Sequence, residues 1–143
     1  MTVIFSKKCE YGLQAVLYLA AHVNRENIPA EEIATKLSIP REFVSKILQS
    51  LTESGIVSSQ KGKSGGFSIA KDPKRIKLID IVQAIDGLSM FNNCVLGFPH
   101  CNPDNPCPLH YKWGELRSKA YQMLTDENLD DFKESTLRKV NNL

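Results

Sequence analysis

Three cysteines and a histidine fall within 17 residues, Cys94, Cys101, Cys107 and His110, with six, five and two residues between successive members. Thiolates are soft ligands and imidazole a borderline one, so the set suits zinc and iron–sulfur clusters alike. Structural zinc sites usually contain a close Cys-x-x-Cys pair that wraps one ion, and this stretch has none. Evenly spread thiolates suit the larger footprint of a cluster, of two or four irons. A zinc site, or a redox switch made of the thiols themselves, stays open on ligand chemistry alone. The fourth cysteine, Cys9, lies in an apolar helical pattern and is expected to act as a small buried hydrophobe.

A second chemical set is basic. Residues 1–77 carry 12 Lys and Arg against 7 Asp and Glu, whereas residues 78–143 carry 6 against 9, although the whole chain is only +2. The surplus lies in Lys61, Lys63, Lys71, Lys74, Arg75 and Lys77, a concentration that attracts a phosphate backbone. Within it, Lys61-Gly62-Lys63-Ser64-Gly65 is a basic glycine-rich tip where the backbone can come close to a partner. Gly62-Lys63-Ser64 also matches the end of a nucleotide-binding phosphate loop. That motif needs glycine where Val57 stands, and a helix where a strand follows, so a nucleotide site is rejected.

The elements that must position these groups follow from periodicity. Ser6 caps a first helix running to about Val23, with Tyr11, Ala15, Val16, Leu19 and Val23 on one face. Pro29 opens a second helix, with Glu31 and Glu32 at the positive end of its dipole. The turn Ser38-Ile39-Pro40 leads to a third, with Phe43, Val44, Ile47, Leu48 and Leu51 inward and Gly55 at its end. This is a helix-turn-helix. The outward set Arg41, Glu42, Ser45, Lys46 and Gln49 can meet phosphates and base edges. Strands over Ile56–Gln60 and Phe67–Ala70 make a hairpin wing around the basic tip.

A helix over Leu78–Ile85 and a ligand-rich loop from Leu88 to about Leu109 come next. A helix of about four turns then carries Tyr111, Trp113, Leu116, Ala120, Met123 and Leu124, as a dimerisation element would. A polar tail holds a weaker helix around Leu129, Phe132 and Leu137. The fold class is therefore mainly α with a small β-hairpin wing, a winged helix-turn-helix plus a long dimerisation helix. Residues 1–77 are expected to form the DNA-binding domain, and residues 78–143 the cysteine-rich sensor loop and dimerisation helices.

Composition narrows the function. With 42% hydrophobic and 24% charged residues, 143 residues suffice for one folded unit. The apolar run Ala15–Ala21 is too short to cross a bilayer and no signal-peptide pattern precedes it, so a cytoplasmic protein with no membrane partner is expected. No nucleophile–base pair, paired carboxylates or Gly-x-Ser-x-Gly pattern supports an enzyme.

The chain resembles the Rrf2 family of winged-helix transcription regulators, in its cluster-binding branch. The resemblance runs through Phe5-Ser6-Lys7 with Tyr11 and Ala15, Ile33-Ala34, Ile39-Pro40, Ile47-Leu48 with Leu51, and Gly55-Ile56-Val57. It continues through Gly62 with Gly65-Gly66-Phe67, Ile81 with Ile85-Asp86-Gly87, and the cysteine loop. It implies a homodimeric regulator of double-stranded operator DNA, a repressor, crossed by the long helix. Each recognition helix would lie in a major groove and each wing at the adjacent minor groove. It also implies that Cys94, Cys101 and Cys107 hold an iron–sulfur cluster. The fourth ligand is either His110 or Glu10 of the partner subunit, with His110 preferred for its softness.

Overall fold

The computed structural model describes residues 4–143. Helix α1 spans Lys7–Ala21, and the Ser6 hydroxyl caps it by accepting the Cys9 N–H at 3.1 Å. Helix α2, Ala30–Leu37, starts after Pro29 and stops where Ser38 enters the left-handed region. Pro40 then sets off α3, Arg41–Glu53. Strands β1, Val57–Gln60, and β2, Gly66–Ile69, pair antiparallel with Val57 opposite Ile69 and Gln60 opposite Gly66. Helices α4, Leu78–Ile85, α5, His110–Thr125, and α6, Lys133–Asn141, complete the chain. Among the described residues no helix is long and apolar enough to cross a membrane.

Among the described residues, six α-helices and one two-stranded hairpin give the mainly α, winged architecture expected. The core is built where α1, α2 and α3 meet: Val16, Leu19, Ile33, Val44, Ile47, Leu48 and Leu51 are almost wholly buried there, together with Ile28, Ile76 and Ile81. Gly12 is what lets α1 come so near α3 and α4. A Cβ at that position would overlap the Ile85 Cδ1 and meet the Ile47 Cγ2 at 3.1 Å.

Two long-range contacts escape local pattern. The Ile28 N–H and C=O exchange hydrogen bonds with Phe67 at 2.8 and 2.9 Å, so the α1–α2 loop adds a one-residue strand to the wing. Leu129 is buried in the main core, its N–H donating to the Pro73 and Ile76 carbonyls, which brings the tail back onto the N-terminal helices. Phe43, expected inside, is 51% exposed. Val23 likewise lies beyond the end of α1 and is exposed.

The apolar stripe of α5 has little cover from its own chain. Leu124 is buried against Cys9, Ile79 and Val82, but Tyr111, Leu116 and Met123 are 66%, 61% and 57% exposed.

A polar cluster fixes α2 against α1. Arg25 donates to both carboxylate oxygens of Glu32, at 2.6 and 2.8 Å, and the Tyr18 hydroxyl donates to Glu32 Oε2 at 2.6 Å. The bonds from Arg25 lead in holding the Glu32 carboxyl down at about 2, against a desolvation that raises it. Because the folded value lies below the unfolded one of about 4.3, this stabilisation is present above about pH 4 and is lost as pH falls towards 2. Glu32→Gln is expected to lower stability at neutral pH and to flatten its pH dependence across that window. Urea unfolding at stepped pH measures both, and an unaltered acid profile would discount the cluster.

Candidate metal centre and nucleic-acid interface

The loop between α4 and α5 is shaped by its own backbone and moored to α5. The Asn102 side-chain oxygen accepts the N–H groups of Asp104 and Asn105, each at 2.9 Å, closing a turn between Cys101 and Cys107. Gly97 N–H donates to the Cys94 carbonyl at 3.0 Å. The Trp113 indole N–H reaches the Asn93 carbonyl at 3.0 Å, and Phe91 meets Tyr121 edge-on at 5.4 Å. Both tie the stretch before Cys94 to α5.

The outcome is a thiol cluster. The Sγ atoms of Cys94, Cys101 and Cys107 all lie within 4.8 Å of one another, with Cys94 and Cys107 at 3.5 Å. His110, the first residue of α5, puts Nδ1 3.3 Å from the Cys101 Sγ. Cys94, Cys101, Cys107 and His110 border a cavity of about 260 Å³ together with Asn93, Trp113 and Arg117. Desolvation alone would raise the Cys94 thiol. The N–H groups of Phe98 and Leu96, with the neighbouring thiols, outweigh it and lower Cys94 to about 7. Cys107 is pushed up, by desolvation first and then by the thiols beside it. One of three adjacent thiols is thus made ready to ionise, as a metal ligand must be.

Glu10 stands apart from this group within its own chain, on α1, paired with Lys7 at 3.3 Å. Cys9 is buried as expected, its thiol pushed up to about 12 by desolvation and by Asp86. Asp86 had no sequence signal of its role. Its carboxylate accepts both the N–H and the hydroxyl of Ser6, joining the end of α4 to the start of α1.

The second candidate surface lies between α3 and the wing. Arg41, Ser45 and Gln49 face Lys61, Gly62, Lys63 and Gly65 across a cleft that Glu31 also lines. Glu42 and Lys46 are exposed on the adjoining outward face of α3, and Ser64 is exposed at the wing tip. Gly62 takes φ +107, which favours glycine, and its carbonyl accepts the Gly65 N–H at 3.1 Å to turn the tip. Asn27, which no motif marked, donates to the Gln60 side chain at 3.0 Å and braces the wing from the α1–α2 loop. The cleft therefore combines a helix able to enter a groove with a basic hairpin able to follow a phosphate backbone.

A helix-turn-helix whose exposed face adjoins a basic hairpin wing is the architecture of a DNA-binding transcription regulator. The chain belongs to the Rrf2 family, described as iron-dependent transcriptional regulators, which it matches over residues 5–135. It is 39% identical over 144 residues to an HTH-type transcriptional regulator of Aquifex aeolicus, covering 98% of this chain and 92% of that one. It is 25% identical over 126 residues to the regulator IscR of Xenorhabdus nematophila, covering 88% and 76%. Among solved structures, CymR, the global cysteine regulator of B. subtilis, superposes with a TM-score of 0.77 at 20% identity, covering 94% of this chain and 98% of that one. IscR of T. potens gives 0.71 at 24% identity, covering 94% and 88%. At these identities the two structures speak for the fold alone.

Proposed function

We propose that this protein is a homodimeric, cytoplasmic repressor whose binding to operator DNA is controlled by an iron–sulfur cluster held by Cys94, Cys101, Cys107 and His110. The observation that carries the reading is the convergence of three thiol Sγ atoms within 4.8 Å from positions spread along 14 residues of loop, with an imidazole nitrogen beside one of them. The adjoining cavity of about 260 Å³ is several times the share of one water, about 30 Å³, which is room for a polyatomic group. When bound, such a group supplies a centre whose charge and integrity respond to oxidants and to iron supply. His110 is favoured over Glu10 of the partner subunit by its place next to Cys101.

Residues 1–77 carry DNA recognition and residues 78–143 sensing and dimerisation, the exposed stripe Tyr111, Leu116 and Met123 of α5 meeting its copy in a second subunit. Cys94 follows α4, whereas Cys107 and His110 lead into α5. Ligation joins those two helices, and Asp86 joins α4 to α1. Closing or freeing the loop can thereby alter the separation of two recognition helices, which dimeric helix-turn-helix proteins hold near 34 Å.

One observation favours a second reading. Thiolates around one tetrahedral zinc, at about 2.3 Å each, stand about 3.8 Å apart, close to the 3.5 Å between Cys94 and Cys107. Iron, zinc and acid-labile sulfide, quantified after anaerobic purification and reconstitution, separate the two. Iron with sulfide and a brown chromophore is expected; zinc without sulfide would overturn the cluster. Equal operator binding by verified loaded and metal-free protein would remove the switch.

A further inference from the structure

Phe43 is an anomaly of packing. It is the third residue of the recognition helix α3, in a helical pattern that could have buried it, yet it is 51% exposed. Val44, Ile47, Leu48 and Leu51 alone make the inner face. At 100° per residue, Phe43 lies at the edge of that face, about a quarter-turn from its centre, on the flank it shares with Lys46 and Ser50, both exposed.

The ring is also held in place. Its inner edge meets Tyr11 of α1, with ring centroids 6.0 Å apart. The Lys7 ammonium lies 5.3 Å from the Tyr11 ring centre. An aromatic side chain that is braced on one edge and open on the other, with Lys7 and Lys46 nearby, is preorganised for an apolar feature on a polyanion. In the major groove the apolar feature is the 5-methyl group of thymine. The first turn of a recognition helix is also the part that reaches base edges.

We infer that Phe43 is a specificity-determining residue that packs on a thymine methyl group in each half-site. This rests on α3 being the recognition helix. Removing one methyl from such a contact takes away the burial of about one methylene equivalent, which corresponds to about fourfold in affinity per contacted thymine.

The test begins with the full chain selecting its site from a pool of random duplexes. The selected site is then resynthesised with uracil replacing each thymine in turn, which deletes the methyl and leaves the pairing edge unchanged. The wild-type protein is expected to bind about fourfold more weakly at one symmetric pair of positions. Phe43→Ala is expected to bind thymine and uracil duplexes there equally. Phe43→Gln, whose polar side chain suits the exposed site should the alanine variant fail to fold, is expected to do the same. No uracil penalty at any position, or a penalty that persists undiminished in both variants, would overturn the inference. So would variants that lose affinity equally on selected and random duplexes, since that marks a backbone or scaffold role. A wild-type protein that enriches no sequence would instead refute α3 as a recognition helix.

Discussion

Replacing any one of Cys94, Cys101 or Cys107 with serine is expected to lower iron affinity by at least about 100-fold while leaving the protein folded. Losing an outer hydrogen bond to a metal ligand already costs 10- to 100-fold, and losing a thiolate ligand costs more. A serine hydroxyl is a hard, weakly acidic donor in a place that needs a soft anion. The fold is expected to survive because none of the three thiols belongs to either buried cluster, and their loop is turned by Asn102 and moored by Trp113. Iron and sulfide per chain after anaerobic reconstitution, with circular dichroism on the metal-free proteins, measure the two halves of the prediction. His110→Ala is expected to assemble a centre that decays faster, and Glu10→Ala to leave it unchanged. A serine variant with a full complement of iron and sulfide would take that cysteine out of the site.

The double substitution Lys61→Ala and Lys63→Ala is expected to weaken binding to every duplex by two to three orders of magnitude. Each phosphate contact contributes about 0.9 to the slope of log affinity against log salt, about fivefold in affinity at 0.15 M. In the proposed dimer, two lysines in each subunit would make up to four such contacts. The slope is therefore expected to fall by up to about 3.6. Both lysines are exposed on a tip turned by Gly62, away from the core, so stability should barely change. Substitutions at Arg41, Ser45 or Gln49 should act differently, relaxing base preference at particular positions. Fluorescence anisotropy across a salt series separates these outcomes, and an unchanged slope in the double variant would show that the wing does not touch DNA.

Much of this molecule was legible in local pattern. Ser6 as the cap of α1, the span Leu78–Ile85, the hairpin around Lys61–Gly65 and the helix starting near Tyr111 are each set by a few adjacent residues. Capping, turn geometry and amphipathic period act over one or two turns, so the sequence displays them directly. Ligand type was legible for the same reason: softness belongs to the side chain itself.

What local pattern left open was decided by contacts between distant residues. Phe43 lies at the edge of the apolar stripe of α3, where periodicity permits either side, and it meets the Tyr11 ring while staying half exposed. Leu129 sits in a polar tail, yet hydrogen bonds to Pro73 and Ile76 bring it into the core. Asp86 and Ser6 are 80 positions apart, and no short window contains both. The same holds for the thiol centre. Spacing named its three cysteines, but only the turn at Asn102 and the anchoring of Asn93 on Trp113 brought their sulfur atoms within 4.8 Å. The amino-acid sequence determined which groups could do chemistry and which helices and hairpin would carry them; tertiary packing decided which groups meet, because burial and hydrogen bonding reward contacts in space whatever their separation along the chain.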